Sequence, residues 1–243
     1  MRVHLYINYL NRVGVLCDIA AGAVQVSFVE SELDNLWLLS HPMFTIPFIE
    51  LAKRRGLYSV HAACLSAGGR GVLIPGVSGS GKSTLAVGLL WTGFDFLGDD
   101  MAFLSPRPNA VRALGFPDEI DLTENTVRMF PELAFLAKQP VAVGWPKRQL
   151  RPEDVYGVEP QTECTPALIV FPTISKEGRS ALTPMDRGAA LLELAPNVLL
   201  TEPSSCQAHL DALARLTRQC ECYRLETGQD FEEVATLLRG LLR

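Results

Sequence analysis

The chain has 243 residues, 48% of them hydrophobic, and a formal net charge of −5. That length supports one well-buried core with a small appended element. The acidic balance leaves no basic field for holding nucleic acid, and no apolar run reaches the roughly 18 residues of a membrane span.

The N-terminus, "MRVHLYINYLNR", lacks a sustained apolar core and a small-residue cleavage site, so it does not read as a signal peptide. Cys17, Cys64, Cys164, Cys206, Cys220 and Cys222 are the six cysteines. Only the last two are close, and no second Cys or His pair stands at zinc-finger spacing, so a structural metal site is not expected. Free thiols in a reducing cytoplasm are the expectation.

Residues 3–9 and 23–29 read as short strands rich in Val, Tyr, Ile and Phe. "HPMFTIPFIELAKRRG" begins with turn-forming Pro42 and Pro47, becomes helical through "FIELAKRR" and stops at Gly56. "YSVHAACLSA" alternates as one strand, "GGRG" is a turn and "GVLIP" a buried strand. "STLAVGLLW" reads as a helix ending near Gly93, and "FDFLGDD" as a short strand ending in two acids. Residues 105–165 are rich in proline, which predicts long loops, small strands and one helix near 124–137. "PALIVFP" is another buried strand and "KEGRS" a hairpin turn. "MDRGAALLEL" and "SCQAHLDALARLTRQ" are amphipathic helices, "CECYRLET" is a strand, and "DFEEVATLLRGLLR" is a closing helix with Asp230 as N-cap. The pattern is α/β, with residues 1–55 a small N-terminal strand and helix element and 56–243 the main domain.

The chemistry begins at "GVSGSGKST", residues 76–84. Gly76, Gly81, Lys82 and Ser83 satisfy the P-loop pattern, between an apolar strand and a helix. Gly76, Val77, Ser78, Gly79, Ser80, Gly81, Lys82, Ser83 and Thr84 form the expected nucleotide cradle. Glycines let successive backbone N–H groups face an anion, and the helix N-terminus adds positive potential. Lys82 can reach the β- and γ-phosphates of a nucleoside triphosphate, and the Ser83 hydroxyl can ligate Mg²⁺. Small-molecule kinases, transport ATPases and GTPases all carry this motif, so it does not by itself name the reaction.

Asp99 and Asp100 follow Lys82 by 17 and 18 residues, a gap filled by one helix and one short strand, so the pair returns to the phosphate end of the sheet. One carboxylate there accepts a proton from an attacking hydroxyl; the other holds Mg²⁺ directly or through water. His61 precedes Gly76 by 15 residues. If its strand and "GVLIP" pair around "GGRG", His61 stands where the P-loop begins, in reach of an aspartate or a phosphate.

"HAACLSAGGRGVLIPGVSGSGKSTLAVGLLWTGFDFLGDD" resembles the catalytic core of the HPr kinase/phosphorylase family, over about residues 58–104. That family has a His at the start of a hairpin, the P-loop, a helix, then a short strand ending in Asp-Asp. The resemblance implies a P-loop kinase core of the HPr kinase and phosphoenolpyruvate carboxykinase type: a mixed sheet flanked by helices. It also implies transfer to a serine hydroxyl. By position, Asp99 resembles the family's acid/base, His61 stands beside it, and Asp100 resembles its neighbour in the metal region, joining Ser83 as the Mg²⁺ site. Glu119 and Asp121 are candidates for a further metal ligand. Lys147, Arg148 and Arg151, in "PKRQLR", are candidates for a basic loop that closes over phosphates or product. The family's separate N-terminal domain is missing or reduced here. Such a shortened core is similar to the HPr-kinase-like enzymes of lasso-peptide pathways, which implies a precursor peptide with a C-terminal acceptor serine. The family's oligomeric habit implies a homo-oligomer. Other readings are a small-molecule kinase acting on free serine, an HPr-type protein kinase/phosphorylase, and a nucleotide-dependent binding module that transfers nothing.

Overall fold

The computed structural model describes residues 4–116, 118–141, 145, 147–175, 177–201 and 203–242. The chain forms two compact units, Met1–Leu57 with Pro140–Pro146, and Tyr58–Gln139 with Lys147–Arg243. The first therefore takes in a short later segment as well as the N-terminal element.

In the first unit, β1 (His4–Tyr9), β2 (Val13–Asp18) and β3 (Ala23–Phe28) make an antiparallel sheet in that order. The middle strand was not legible in the sequence; its alternation "VGVLCD" buries Val13, Val15 and Cys17 on one face, against Leu38 and Met43. A short helix α1 (Leu36–Leu38) runs into a π-helical stretch, Leu39–Thr45, and then α2 (Ile46–Lys53). Pro42 thus lies inside helical structure rather than in a turn. The wider π-helical winding relieves the clash a proline makes with the preceding turn.

The second unit holds a nine-stranded mixed sheet. Its strands are β4 (Tyr58–Val60), β5 (Ala62–Ala67), β6 (Arg70–Pro75), β7 (Asp95–Gly98), β8 (Ala102–Pro106), β9 (Val111–Gly115), β12 (Glu163–Ile174), β13 (Ala181–Pro184) and β14 (Glu221–Thr227). The main order is β4-β8-β9-β12-β6-β5-β7, with β14 also on β12 and β13 on β14. A separate two-stranded ladder pairs β10 (Ile120–Leu122) with β11 (Arg148–Leu150). The period-2 alternation of the sheet shows in which core each residue enters. Leu65, Val72, Ile74, Leu168, Val170 and Leu225 face one core. Cys64, Leu73, Ile169, Phe171 and Cys222 face the other. Burial on both faces is what makes these strands continuously apolar.

Helices cover each face. On the first lie α3 (Lys82–Trp91), α4 (Glu124–Met129), a 3₁₀ stretch Pro131–Lys138, α5 (Pro152–Tyr156) and α8 (Phe231–Leu241). On the second lie α6 (Arg187–Leu194) and α7 (Pro203–Gln219). Asp186 caps α6 and Asp230 caps α8, each carboxylate accepting first-turn N–H bonds. Pro166 interrupts β12 in mid-sheet, where a proline costs a ladder bond. The ladder to β6 shifts register there, and Gln219 of α7 repairs the seam. Its amide donates to the Pro166 and Val111 carbonyls and accepts from the Val111 N–H. The expected "KEGRS" hairpin is not formed: β13 pairs β14, not β12. Lys176 lies outside the described residues.

All six cysteines are free thiols. No helix among the described residues is long and apolar enough to cross a membrane.

Two strand orders matter for function. Strands β6, β12 and β14 are parallel, so their C-terminal ends share one edge of the sheet. Strands β5 and β7 are antiparallel to each other, and β5 is antiparallel to β6. The start of β5 and the end of β7 therefore reach that same edge.

The end of β7 is tightly built. A methyl group on Gly98 would stand 2.8 Å from the Phe116 carbonyl oxygen and 3.0 Å from that of Met101. Both are backbone atoms, so neither moves cheaply. Gly98→Ala is expected to destabilise the protein by about 1–3 kcal/mol, seen as a lower denaturation midpoint at unchanged m. An unchanged midpoint would show that these segments part freely.

Candidate functional site

The P-loop leaves β6 at Pro75 and enters α3 at Lys82. Gly79 and Gly81 hold φ of 84° and 94°, a region closed to most side chains. Gly76 is needed for space: a Cβ there would lie 2.6 Å from Ser80 Oγ. Gly81 is the N-cap of α3, and no side chain caps that end. The first N–H groups of the helix are thus left to an anion. Val77, Ser78 and Gly79 are exposed on the loop. Ser80 Oγ is buried without a hydrogen-bond partner. Lys82 is buried, and its ammonium donates to the Gly76 carbonyl at 2.7 Å. Burial pulls its pKa down, against the carboxylates of Asp100 and Asp99 and with the Lys147 charge.

Asp99 follows β7 and is 2% exposed. Ser83 Oγ donates to its Oδ2 at 2.7 Å, while Oδ1 is buried and unpartnered. Burial, then the neighbouring Asp100 carboxylate, push its pKa up to about 7; the Ser83 hydrogen bond and the Lys82 and Lys147 charges act in the opposite sense. Asp100 is exposed.

His61 sits at the break between β4 and β5. One continuous strand was expected there; the chain instead kinks at the histidine. The hairpin register places Ala62 opposite Pro75, which sets His61 beside the start of the P-loop. Its N–H donates to the Asn197 carbonyl at 2.7 Å. Its ring does not touch the Asp99 carboxylate. Nδ1 lies 2.8 Å from the Asp100 carbonyl oxygen, which only accepts, so Nδ1 carries the proton. Burial and the Lys82 charge lower its pKa, opposed by Asp100 and its carbonyl. At neutral pH the ring is therefore uncharged, with Nε2 an acceptor.

The remaining candidates separate by geometry. Thr84 Oγ1 lies 2.8 Å from Thr126 Oγ1, so its hydroxyl joins α3 to α4 rather than facing the cradle. Lys147 acts by its charge on His61, Lys82 and Asp99 together. Arg148 does not: its guanidinium pairs with Glu124 Oε1 at 2.9 Å and donates to the Gln139 carbonyl. Arg151 is exposed and begins α5. Glu119 is exposed, its N–H bonded to Asp118, and Asp121 stands in β10 opposite Gln149. Neither is among the charges that shift Asp99, Lys82 or His61. Among the described residues, no group of three or more His, Cys, Asp or Glu side chains gathers around a metal position. Sequence reasoning missed Asn197, which holds the His61 main chain, and Ile174. Ile174 ends β12 70% exposed, 3.7 Å from where a Cβ on Gly81 would lie. The exposed apolar end of a buried strand is the one signal that marks it.

No protein-family profile matches the chain, and no curated protein matches it. Among solved structures it is similar to the HPr(Ser) kinase/phosphatase from Coxiella burnetii. The identity is 14%, the TM-score 0.41, and the likeness covers 75% of this chain and 88% of that one. A likeness of that degree decides nothing about chemistry, which rests on the cradle itself.

Asp99 gives the protein a pH signature. In the unfolded chain its carboxyl titrates near 3.9; in the fold, at about 7. Between these values the unfolded chain releases a proton that the folded chain keeps, so stability falls as pH rises from about 4 to about 7 and levels off above. Asp99→Asn removes this loss. From pH 5 to pH 8 the variant should gain on wild type by on the order of 2–3 kcal/mol, measured by denaturant unfolding at each pH. Parallel profiles for the two proteins would refute the assignment.

Proposed function

We propose that the chain is an ATP-dependent phosphotransferase acting on a serine hydroxyl of a peptide or small protein. The observation that carries this reading is the Asp99 carboxylate. It stands at the phosphate edge with one oxygen on the P-loop serine and the other unused. Its pKa of about 7 suits a group that takes up and gives back a proton near neutral pH.

The P-loop N–H groups and Lys82 hold the triphosphate. To reach it, the Lys82 ammonium exchanges the Gly76 carbonyl for phosphate oxygens. The orphaned hydroxyl of Ser80 and oxygen of Asp99, with the oxygen-only donor set of Ser83 and Asp100, fit a hard cation. Ser83 and Asp100 would hold Mg²⁺, which neutralises phosphate charge. The serine oxygen attacks the γ-phosphorus in line, the bond to the β,γ-bridging oxygen breaks, and ADP leaves with that electron pair. Asp99 accepts the serine proton. His61 works through the main chain: Nδ1–H on the Asp100 carbonyl fixes the direction of the Asp99–Asp100 turn. Lys147 adds positive charge where the transferred group gains negative charge. Catalysis is then positioning and electrostatics. The acceptor proposed is the C-terminal serine of a ribosomal precursor peptide, a reading supported by the resemblance of residues 58–104.

Incubation with ATP, Mg²⁺ and a serine-terminated peptide should add one phosphoryl mass to the peptide. Asp99→Asn should cut turnover by about 10²–10⁴-fold while a fluorescent ATP analogue still binds within a few-fold. Wild-type-like turnover in that variant would sink the role given to Asp99. Phosphate on free serine without peptide would favour the small-molecule reading, and label that never leaves ATP would favour a binding module.

The two neighbouring cations should behave differently. Lys147→Ala is expected to weaken ATP use several-fold, read in kcat/KM. Arg148→Ala should leave it near wild type and cost about 0.5–1 kcal/mol of stability. Equal losses of activity in both would return Arg148 to the site.

A further inference from the structure

The outer side of α3 carries a second concave feature. A groove of about 920 Å³ opens between the end of α4 and the start of α8, with Trp91 along its wall. Helical spacing explains it. Thr84, Gly88 and Trp91 recur on one face of α3: Thr84 meets Thr126 of α4, and Gly88 lies under the Phe231 ring, with no room even for a Cβ. Trp91 follows one turn later and stays half exposed. Phe130 and Phe231 stack at 5.2 Å and form the floor. Trp91 and Met129 remain 50% and 43% exposed beside them.

The rim is acidic. Glu132, Asp230 and Glu232 line the groove, and among the described residues no lysine or arginine joins them. Two of the acids already have work: Asp230 caps α8 and Glu132 accepts from the Tyr156 hydroxyl. Neither use cancels a formal charge. The end of α8 contributes about half a positive charge, so the groove stays net negative around an apolar floor.

We infer that this groove docks a segment of the acceptor polypeptide in which an aliphatic or aromatic side chain neighbours a lysine or arginine. The inference rests on the phosphotransferase reading and names where the substrate is held apart from its reacting serine. The apolar side chain fills the space against Trp91 and Met129, and the cation meets Glu232. Distance then sets spacing. The ten residues of α3 span about 15 Å between the cradle and Trp91. An extended chain needs at least about five residues to cover that. The docking segment therefore lies about five or more residues from the acceptor serine.

The test uses the full chain and synthetic peptides with one serine. Each carries Arg-Leu-Arg or Glu-Leu-Glu, placed two, six or ten residues from the serine on either side. Binding is measured by calorimetry without nucleotide, and transfer with ATP and Mg²⁺. Arg-Leu-Arg peptides should bind about tenfold more tightly than their Glu-Leu-Glu partners. In transfer, only the six- and ten-residue spacings should gain, through KM and not kcat. Glu232→Lys should erase or reverse the preference, and Trp91→Ala should weaken binding with turnover at saturation unchanged. Both side chains are exposed, so either variant should fold. Equal affinity for both peptide sets, a preference that survives Glu232→Lys, or a dimer that dissociates on Trp91→Ala would overturn the inference. Binding without transfer would leave the groove standing and fail the kinase reading; transfer indifferent to the groove variants would do the reverse.

Discussion

The cradle depends on one buried carboxylate. Taking an ionised group out of water costs several kcal/mol unless partners replace the lost hydration. Asp99 has one such partner, the Ser83 hydroxyl, and two cations at longer range. That support is incomplete, and the balance keeps the group near the midpoint of its titration. A fuller set of hydrogen bonds would have locked it as an anion. The fold therefore holds Asp99 between its two protonation states, and the stiffness of the surrounding backbone, with Gly98 packed on the Phe116 and Met101 carbonyls, prevents it from relaxing toward water.

The sheet supplies that stiffness and the convergence. Three parallel strands deliver the P-loop and the ends of β12 and β14 to one edge, and the antiparallel β5 and β7 bring His61 and the two aspartates to meet them. Two neighbouring pairs are joined by short turns, β5 to β6 at Gly68 and Gly69 and β8 to β9 across residues 107–110. The other pairings are long-range, and they hold because the strands are buried on both faces. Where the order is most strained, at Pro166, a single glutamine of α7 restores the missing bonds.

Much of this was legible in the sequence, for physical reasons. The P-loop is a local device whose glycines and lysine stand in a fixed spacing. The 15-residue interval from His61 to Gly76 contains one tight turn, so its geometry followed from strand pairing alone. The buried strands showed as apolar runs. What failed were readings in which distant chain decides. The β2 strand is recognisable only with its two neighbours. The "KEGRS" turn was assigned to a hairpin because the true partner of β13 comes some forty residues later. Arg148 looked like a phosphate ligand because sequence shows its charge but not Glu124, which neutralises it. His61 does reach an aspartate, as its spacing implied, but through the main-chain carbonyl of Asp100, which no residue type announces.

The position of Phe231 over Gly88 has a consequence for how the molecule is made. Helix α3 closes the cradle, yet its Gly88 face is covered by Phe231, which follows Gly88 by more than 140 positions, and β14, which completes the parallel edge, also comes late. Synthesis runs from the N-terminus, and long-range pairings form slowly. The nucleotide loop therefore emerges well before the elements that hold its helix in place. A growing chain carries the phosphate motif in full while the sheet edge that frames it is still unassembled.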